Sequence, residues 1–207
     1  MRKEPLILKL AKIFIPPILN FLFNVKIYGK ENLPQFGPYI IASNHFSNWD
    51  PPIIYYALYP IFPYTMAKKE LFKFFPYNFI LKSFRSFPVD RKNFKLSDIK
   101  FVKNIIDKKE ILLMFPEGTR TKKKDILKIK IKSGTSYLAY NYNLNIIPIH
   151  IFWPFTPTKT FLKRASVEVF IKKPIYIDKI KNELIGNEKD IIEKLNEILT
   201  KEIRARF

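Results

Sequence analysis

The chain contains no cysteine and only two histidines in 207 residues. Without cysteine there can be no disulfide and no thiol chemistry, although that absence does not identify a compartment. Two histidines and scattered carboxylates lack the ligand spacing of a zinc site, so no metal is expected. There is no G-x-S-x-G elbow to present a nucleophilic serine. Internal repeats, low-complexity tracts and linkers are also absent, and the length fits one domain with a substantial core. Acidic residues are scarce: 37 Lys and Arg against 18 Asp and Glu give 37 − 18 = +19. Such an imbalance calls for an anionic partner, whether nucleic acid, an anionic membrane surface or a phosphorylated substrate. No aromatic–basic RNA signature or DNA-reading motif is present, so nucleic acid is not the expected partner.

A long unbroken apolar run is missing too. Leu6 to Phe23 is almost wholly apolar but is interrupted by Lys9, Lys12, Asn20 and the pair Pro16-Pro17. As one straight helix it would reach roughly 27 Å, close to a bilayer core. The prolines are expected to split it into two pieces of about 15 Å or less, too short to span separately. Lys9 and Lys12 share one helical face, with Leu6, Leu10, Ile13 and Phe14 mostly opposite. That pattern predicts a helical pair at residues 1–24 lying in the membrane interface. A signal peptide would need a small-residue cleavage site, and Phe21-Leu22-Phe23-Asn24 offers none. A helix pair packed in the core is the alternative.

The chemistry concentrates at Asn44-His45-Phe46-Ser47-Asn48-Trp49-Asp50. A neutral imidazole can take a proton from a hydroxyl near neutral pH, and a nearby carboxylate can orient it. Positions five apart do not meet on a regular helix. Asp50 followed by Pro51 reads as an N-cap and first helical residue, which leaves His45 in a loop able to fold back over the helix start. Tyr39 to Ser43 reads as a buried strand before it. Downstream, Ile111 to Met114 reads as a strand leading into Phe115-Pro116-Glu117-Gly118-Thr119-Arg120. Its glycine permits positive φ, presenting amides and the Thr119 hydroxyl to an anion, with Arg120 supplying charge.

Together, N-H-x-x-x-x-D followed about seventy residues later by F-P-E-G-T-R resembles the signature of the glycerolipid acyltransferases, the family of 1-acylglycerol-3-phosphate acyltransferases. Phe87-Pro88-Val89-Asp90-Arg91 resembles that family's second motif, whose arginine is assigned to the acceptor's phosphate. Lys132-Ser133-Gly134 resembles a following lysine-x-glycine element, and the strand around Pro148 resembles the fourth motif. The resemblance implies His45 as general base and Asp50 as its orienting acid. It implies a phosphate site drawn from Arg91, Glu117, Gly118, Thr119, Arg120 and Lys132, with Glu117 holding an arginine or the glycerol hydroxyls. Arg85 is either a second phosphate ligand or a surface charge. Backbone amides near the histidine loop are expected to stabilise the oxyanion.

The implied reaction moves a fatty acyl group from acyl-CoA or acyl-carrier protein to the sn-2 hydroxyl of 1-acylglycerol 3-phosphate, with no cofactor and no acyl-enzyme. The implied partners are a lysophospholipid, the thioester donor and the cytoplasmic face of the cell membrane, held without crossing it. Another lysolipid, glycerol 3-phosphate as acceptor, or a catalytically silent basic membrane- or nucleic-acid-binding protein are the alternatives. Alternating strands and helices predict a single α/β domain over residues 25–207, with a mixed, largely parallel sheet flanked by helices. Leu71 to Ser83, rich in Phe, is expected either to line an acyl-chain groove or to be ordinary core. His150 is expected to be a satisfied structural histidine.

Overall fold

A computed structural model describes residues 6–90, 96–121, 131–154, 164–184 and 186–205. Arg91, and most of the lysine-rich stretch after Thr121, lie outside the described residues. Among the described residues seven strands form one sheet: β1 Phe23–Tyr28, β2 Ile40–Ser43, β3 Tyr64–Lys68, β4 Ser86–Val89, β5 Leu112–Met114, β6 Ile146–Phe152 and β7 Ala165–Ile171, in the order β1-β7-β6-β2-β5-β3-β4. From β6 to β4 every neighbouring pair is parallel; β7 runs antiparallel to β6, and β1 is parallel to β7. The sheet is therefore mixed and largely parallel, with β1 at an edge.

The central strands read as continuous apolar runs because helices cover both faces. On one side pack α1 (Leu6–Leu22) and α2 (Asp50–Leu58), closing a core that includes Ile41, Leu113, Ile147, Ile149 and Ile151. On the other lie α4 (Leu96–Asp107), α5 (Gly134–Tyr142), α6 (Ile177–Glu183) and α7 (Glu188–Arg204), around Ile40, Ala42, Leu112 and Ile146. A short helix, α3 (Tyr77–Ser83), precedes β4. Helix α7 starts at Asn187 with a reciprocal cap: its side chain accepts from the Lys189 and Asp190 amides, and Asp190 accepts from the Asn187 amide. Ile191, Leu195, Leu199 and Ile203 line its buried face. α6 was not foreseen from the sequence.

Two expectations need correction. The prolines do not divide the amino-terminal segment: α1 is one helix with Pro16 and Pro17 inside it. Each proline removes a backbone donor, but Leu8, Ala11 and Leu19 are buried, and Ile15 packs beside them on the face turned toward α2. Tertiary packing holds the helix through the break. Nor does the Phe-rich stretch line a groove or fill the core. Leu71, Phe74, Phe75, Tyr77, Phe79 and Ile80 are all exposed, Phe75 at 89%.

Candidate active site

Strands β6, β2 and β5 are adjacent and parallel, so their carboxyl ends open at one edge of the sheet, where ligands of open α/β sheets bind. Three segments leave that edge together: Asn44–Trp49 after β2, Phe115–Arg120 after β5, and Trp153 after β6. The side chain of Asn44, fully buried, pairs with β6 as a strand would. Its Oδ1 accepts from the Ile151 amide at 2.7 Å and its Nδ2 donates to the Ile151 carbonyl at 2.9 Å. This fixes the root of the histidine loop.

The loop then folds back over the start of α2. Asp50 stands one residue further into the helix than an N-cap, which is Trp49, so Pro51 is not the first helical residue. Its carboxylate turns toward the preceding loop rather than capping the helix. Oδ2 accepts from the amides of Phe46 and Ser47, both at 2.6 Å, and meets His45 Nδ1 at 3.0 Å. Oδ1 accepts from the indole of Trp153 at 2.9 Å. Asp50 is fully buried and His45 is 15% exposed. With Nδ1 held by a carboxylate, the imidazole is fixed in the tautomer whose Nε2 can accept a proton. Phe115 stacks on the ring with centroids 4.3 Å apart.

The turn after β5 is fastened to this loop. The Glu117 carboxylate is buried; Oε1 accepts from the His45 amide at 2.9 Å and Oε2 accepts from the Thr121 hydroxyl. The Thr121 amide donates to the His45 carbonyl at 2.8 Å. Burial raises the Glu117 carboxyl above the usual carboxylate range, opposed by the bonds from Thr121 and the His45 amide. One of its oxygens thus holds the histidine loop and the other holds Thr121 of its own segment. The amides of His45, Phe46 and Ser47 are likewise occupied by carboxylates, so these three are not the oxyanion donors expected of the loop.

Gly118 has φ +72°, the left-handed conformation anticipated for this glycine. A Cβ there would sit 3.2–3.3 Å from the end of the Lys132 side chain, and the Lys132 amide donates to the Pro116 carbonyl at 2.8 Å. The fold therefore brings Lys132 over the glycine turn. Thr119 and Arg120 are exposed beside it. Arg85 is neither a phosphate ligand nor a surface charge: it binds Glu110 through both guanidinium nitrogens at 2.9 and 3.0 Å, plus the Phe62 carbonyl and the Tyr64 hydroxyl. A cavity of about 300 Å³ opens between β3, β4, β5 and α5, lined by Met66, Val89, Met114, Phe115 and Leu138, with Gly118 and Lys132 also at its wall. Thr135, nearly fully buried, lines it with a hydroxyl that has no hydrogen-bond partner among the described residues. His150 is a buried structural histidine, its Nδ1 donating to the Ile203 carbonyl at 2.7 Å.

Residues 24–152 match the family described as Acyltransferase. A 1-acyl-sn-glycerol-3-phosphate acyltransferase of Bacillus subtilis is 32% identical over 160 residues, covering 77% of each chain. One from Streptococcus pneumoniae is 31% identical over 160 residues, covering 76% of this chain and 58% of that one. The crystal structure of the 1-acyl-sn-glycerophosphate acyltransferase PlsC from Thermotoga maritima superposes with a TM-score of 0.60 at 20% identity, covering 95% of this chain and 78% of that one. The match reaches from β1 to the end of β6 and takes in the histidine loop and the glycine turn that the fold ties together; the chain belongs to the acyltransferase family.

Proposed function

We propose that this enzyme transfers a fatty acyl group from an acyl thioester, acyl-CoA or acyl-carrier protein, to the sn-2 hydroxyl of 1-acylglycerol 3-phosphate, forming phosphatidic acid. The observation that carries the reading is the buried Asp50 carboxylate holding Nδ1 of a partly exposed His45 at the carboxyl edge of the sheet. The acceptor hydroxyl gives its proton to Nε2 as its oxygen attacks the thioester carbonyl. The new C–O bond forms, the C–S bond breaks when the tetrahedral oxyanion collapses, and the thiolate departs with the proton returned from the imidazolium. No cofactor or acyl-enzyme enters this scheme.

Arg120, Thr119, Gly118 and Lys132 surround the turn and would hold the acceptor's phosphate, joined in this proposal by Arg91. Glu117 would belong to this site as the clamp between turn and loop. The apolar cavity beside Phe115 suits an acyl chain. A seat on the cytoplasmic membrane surface accords with α1, whose outward residues Leu6, Leu10, Ile13, Phe14, Ile18 and Phe21 remain exposed, and with the exposed Phe74–Ile80 segment beside it. Among the described residues no helix is long and apolar enough to cross a membrane.

The test incubates purified protein with lysophosphatidate and an acyl thioester, following thiol release and diacyl product. Wild type should turn over, and folded His45→Ala should lose roughly 10²–10⁴-fold. Arg120→Met should penalise lysophosphatidate more than a matched acceptor lacking the phosphate. Near-normal turnover by His45→Ala would sink the mechanism, and an equal fall on both acceptors would remove Arg120 from the phosphate site.

A further inference from the structure

The Asp50 carboxylate has four donors among the described residues, and three of them move with its own loop. His45, Phe46 and Ser47 all converge on Oδ2. Oδ1, in a fully buried side chain, receives only the indole N–H of Trp153, 103 positions away. A buried carboxylate oxygen without a donor is costly, and a carboxylate bonded through one oxygen alone can turn about its terminal torsion. The indole removes both problems by anchoring the second oxygen to β6.

Trp153 is itself held rigidly. It is 4% exposed, and Phe23 stands edge-on to it with centroids 5.6 Å apart at 77°. Phe23 also meets Trp49 of the histidine loop at 5.1 Å and 65°. Two residues before Trp153, Ile151 is bonded through both backbone groups to Asn44. Strand β6 and the residue that follows it therefore fasten the histidine loop and the start of α2 at two points: the Ile151 backbone at Asn44 and the Trp153 indole at Asp50.

We infer that Trp153 is a positioning residue for the acyl transfer, setting the Asp50 carboxylate so that Oδ2 holds His45 Nδ1 and keeps Nε2 directed to proton transfer. This rests on the His45–Asp50 reading above. Nothing in the motif strings points to Trp153, which lies beyond the matched residues 24–152.

Trp153→Phe removes the N–H and keeps an aromatic ring against Phe23. Losing one donor to a buried carboxylate should lower kcat roughly 10- to 100-fold. KM for both substrates should stay within about twofold, because no substrate group is touched. The second readout is the imidazole N–H spectrum of histidine-labelled protein, simple because there are only two histidines. The His45 Nδ1–H resonance should move while that of His150 stays. Should Trp153→Phe fold poorly, β-(3-benzothienyl)alanine replaces the indole N–H by sulfur at constant shape. The other tryptophan, Trp49, is first changed to Phe, and the comparison is made within that background.

Reduced kcat with steady KM and a displaced His45 resonance supports the assignment. Unchanged kcat, or a fall in kcat with an unmoved His45 resonance, overturns it while His45→Ala remains inactive. Substantial turnover by His45→Ala would instead overturn the underlying base assignment, and this inference with it.

Discussion

Both oxygens of Glu117 are engaged inside the protein, and its burial outweighs the opposing bonds from Thr121 and the His45 amide to set the sign of its titration. Burial raises its pKa, so the native state keeps the proton where the unfolded chain has already released it. Its contribution to stability is therefore full below the unfolded carboxyl value and is lost as pH rises through the raised native one. Glu117→Gln abolishes this titration and preserves acceptor geometry toward the His45 amide. Relative to wild type, the variant should gain stability as pH rises through that window and level off above it. Urea midpoints of both proteins from acid to neutral pH measure the gap, and a gap independent of pH would contradict the assignment. Thr135 makes a second case: its buried hydroxyl lacks a partner among the described residues. Thr135→Val keeps the shape and should stabilise the apo protein by about 1 kcal/mol; a loss of stability would show that the hydroxyl is satisfied. At this scale the sequence reveals residues whose chemistry dictates both type and spacing, such as His45, Asp50 and Gly118. Asn44–Ile151 and Asp50–Trp153 are hydrogen-bonded across 107 and 103 positions, and no periodicity or motif records such pairs. The bond from Glu117 to the His45 amide, 72 positions away on another loop, is hidden for the same reason.

Elements were legible where burial imposes a pattern. β2 spans Ile40–Ser43 within the Tyr39–Ser43 run read as a buried strand, and α4 turns Val102, Ile105 and Ile106 inward as its apolar period requires. What could not be read was the outcome of competition between a local rule and a tertiary one. Two prolines argue for a break in α1, yet buried Leu8, Ala11 and Leu19 hold one helix together. The same helix leaves Phe14 and Phe21 outside, at 57% and 75% exposure. Its two faces should therefore fail differently. Leu19→Ala empties a buried site and should cost about 2–5 kcal/mol in denaturant unfolding. The pair Phe14→Ser and Phe21→Ser should leave the unfolding midpoint nearly unchanged while weakening sedimentation with liposomes. It should also lower turnover on bilayer-embedded acceptor more than on dispersed short-chain acceptor. Unchanged sedimentation would mean that the outer face of α1 does not meet the membrane.

At the scale of the whole molecule, two forces can bring this O-acyltransferase to a lipid surface, and they respond differently to salt. One is the net charge of +19, attracted to anionic headgroups over a distance set by ionic screening. The other is the exposed apolar surface of α1 and of Phe74, Phe75, Tyr77 and Phe79, whose burial in the acyl boundary is insensitive to screening. Charge alone was visible in the composition, but it did not choose among nucleic acid, phosphate and membrane. The exposed aromatic side chains on one helix and one neighbouring segment support the proposed membrane seat, which the charge by itself does not distinguish. The expected behaviour follows from adding the two. Sedimentation with anionic vesicles should fall as salt is raised from about 10 mM to about 0.5 M, where the Debye length shrinks from roughly 30 Å to a few Å. It should fall to a plateau rather than to zero, because the apolar contribution remains. Zwitterionic vesicles should show that plateau at every salt concentration, and the Phe14→Ser, Phe21→Ser protein should show a lower one. Complete release from anionic vesicles at high salt would leave charge as the whole attraction and assign the exposed aromatics no part in it. Turnover of a dispersed short-chain acceptor at saturating concentration, measured over the same range, should change far less than vesicle binding, since that reaction needs no surface.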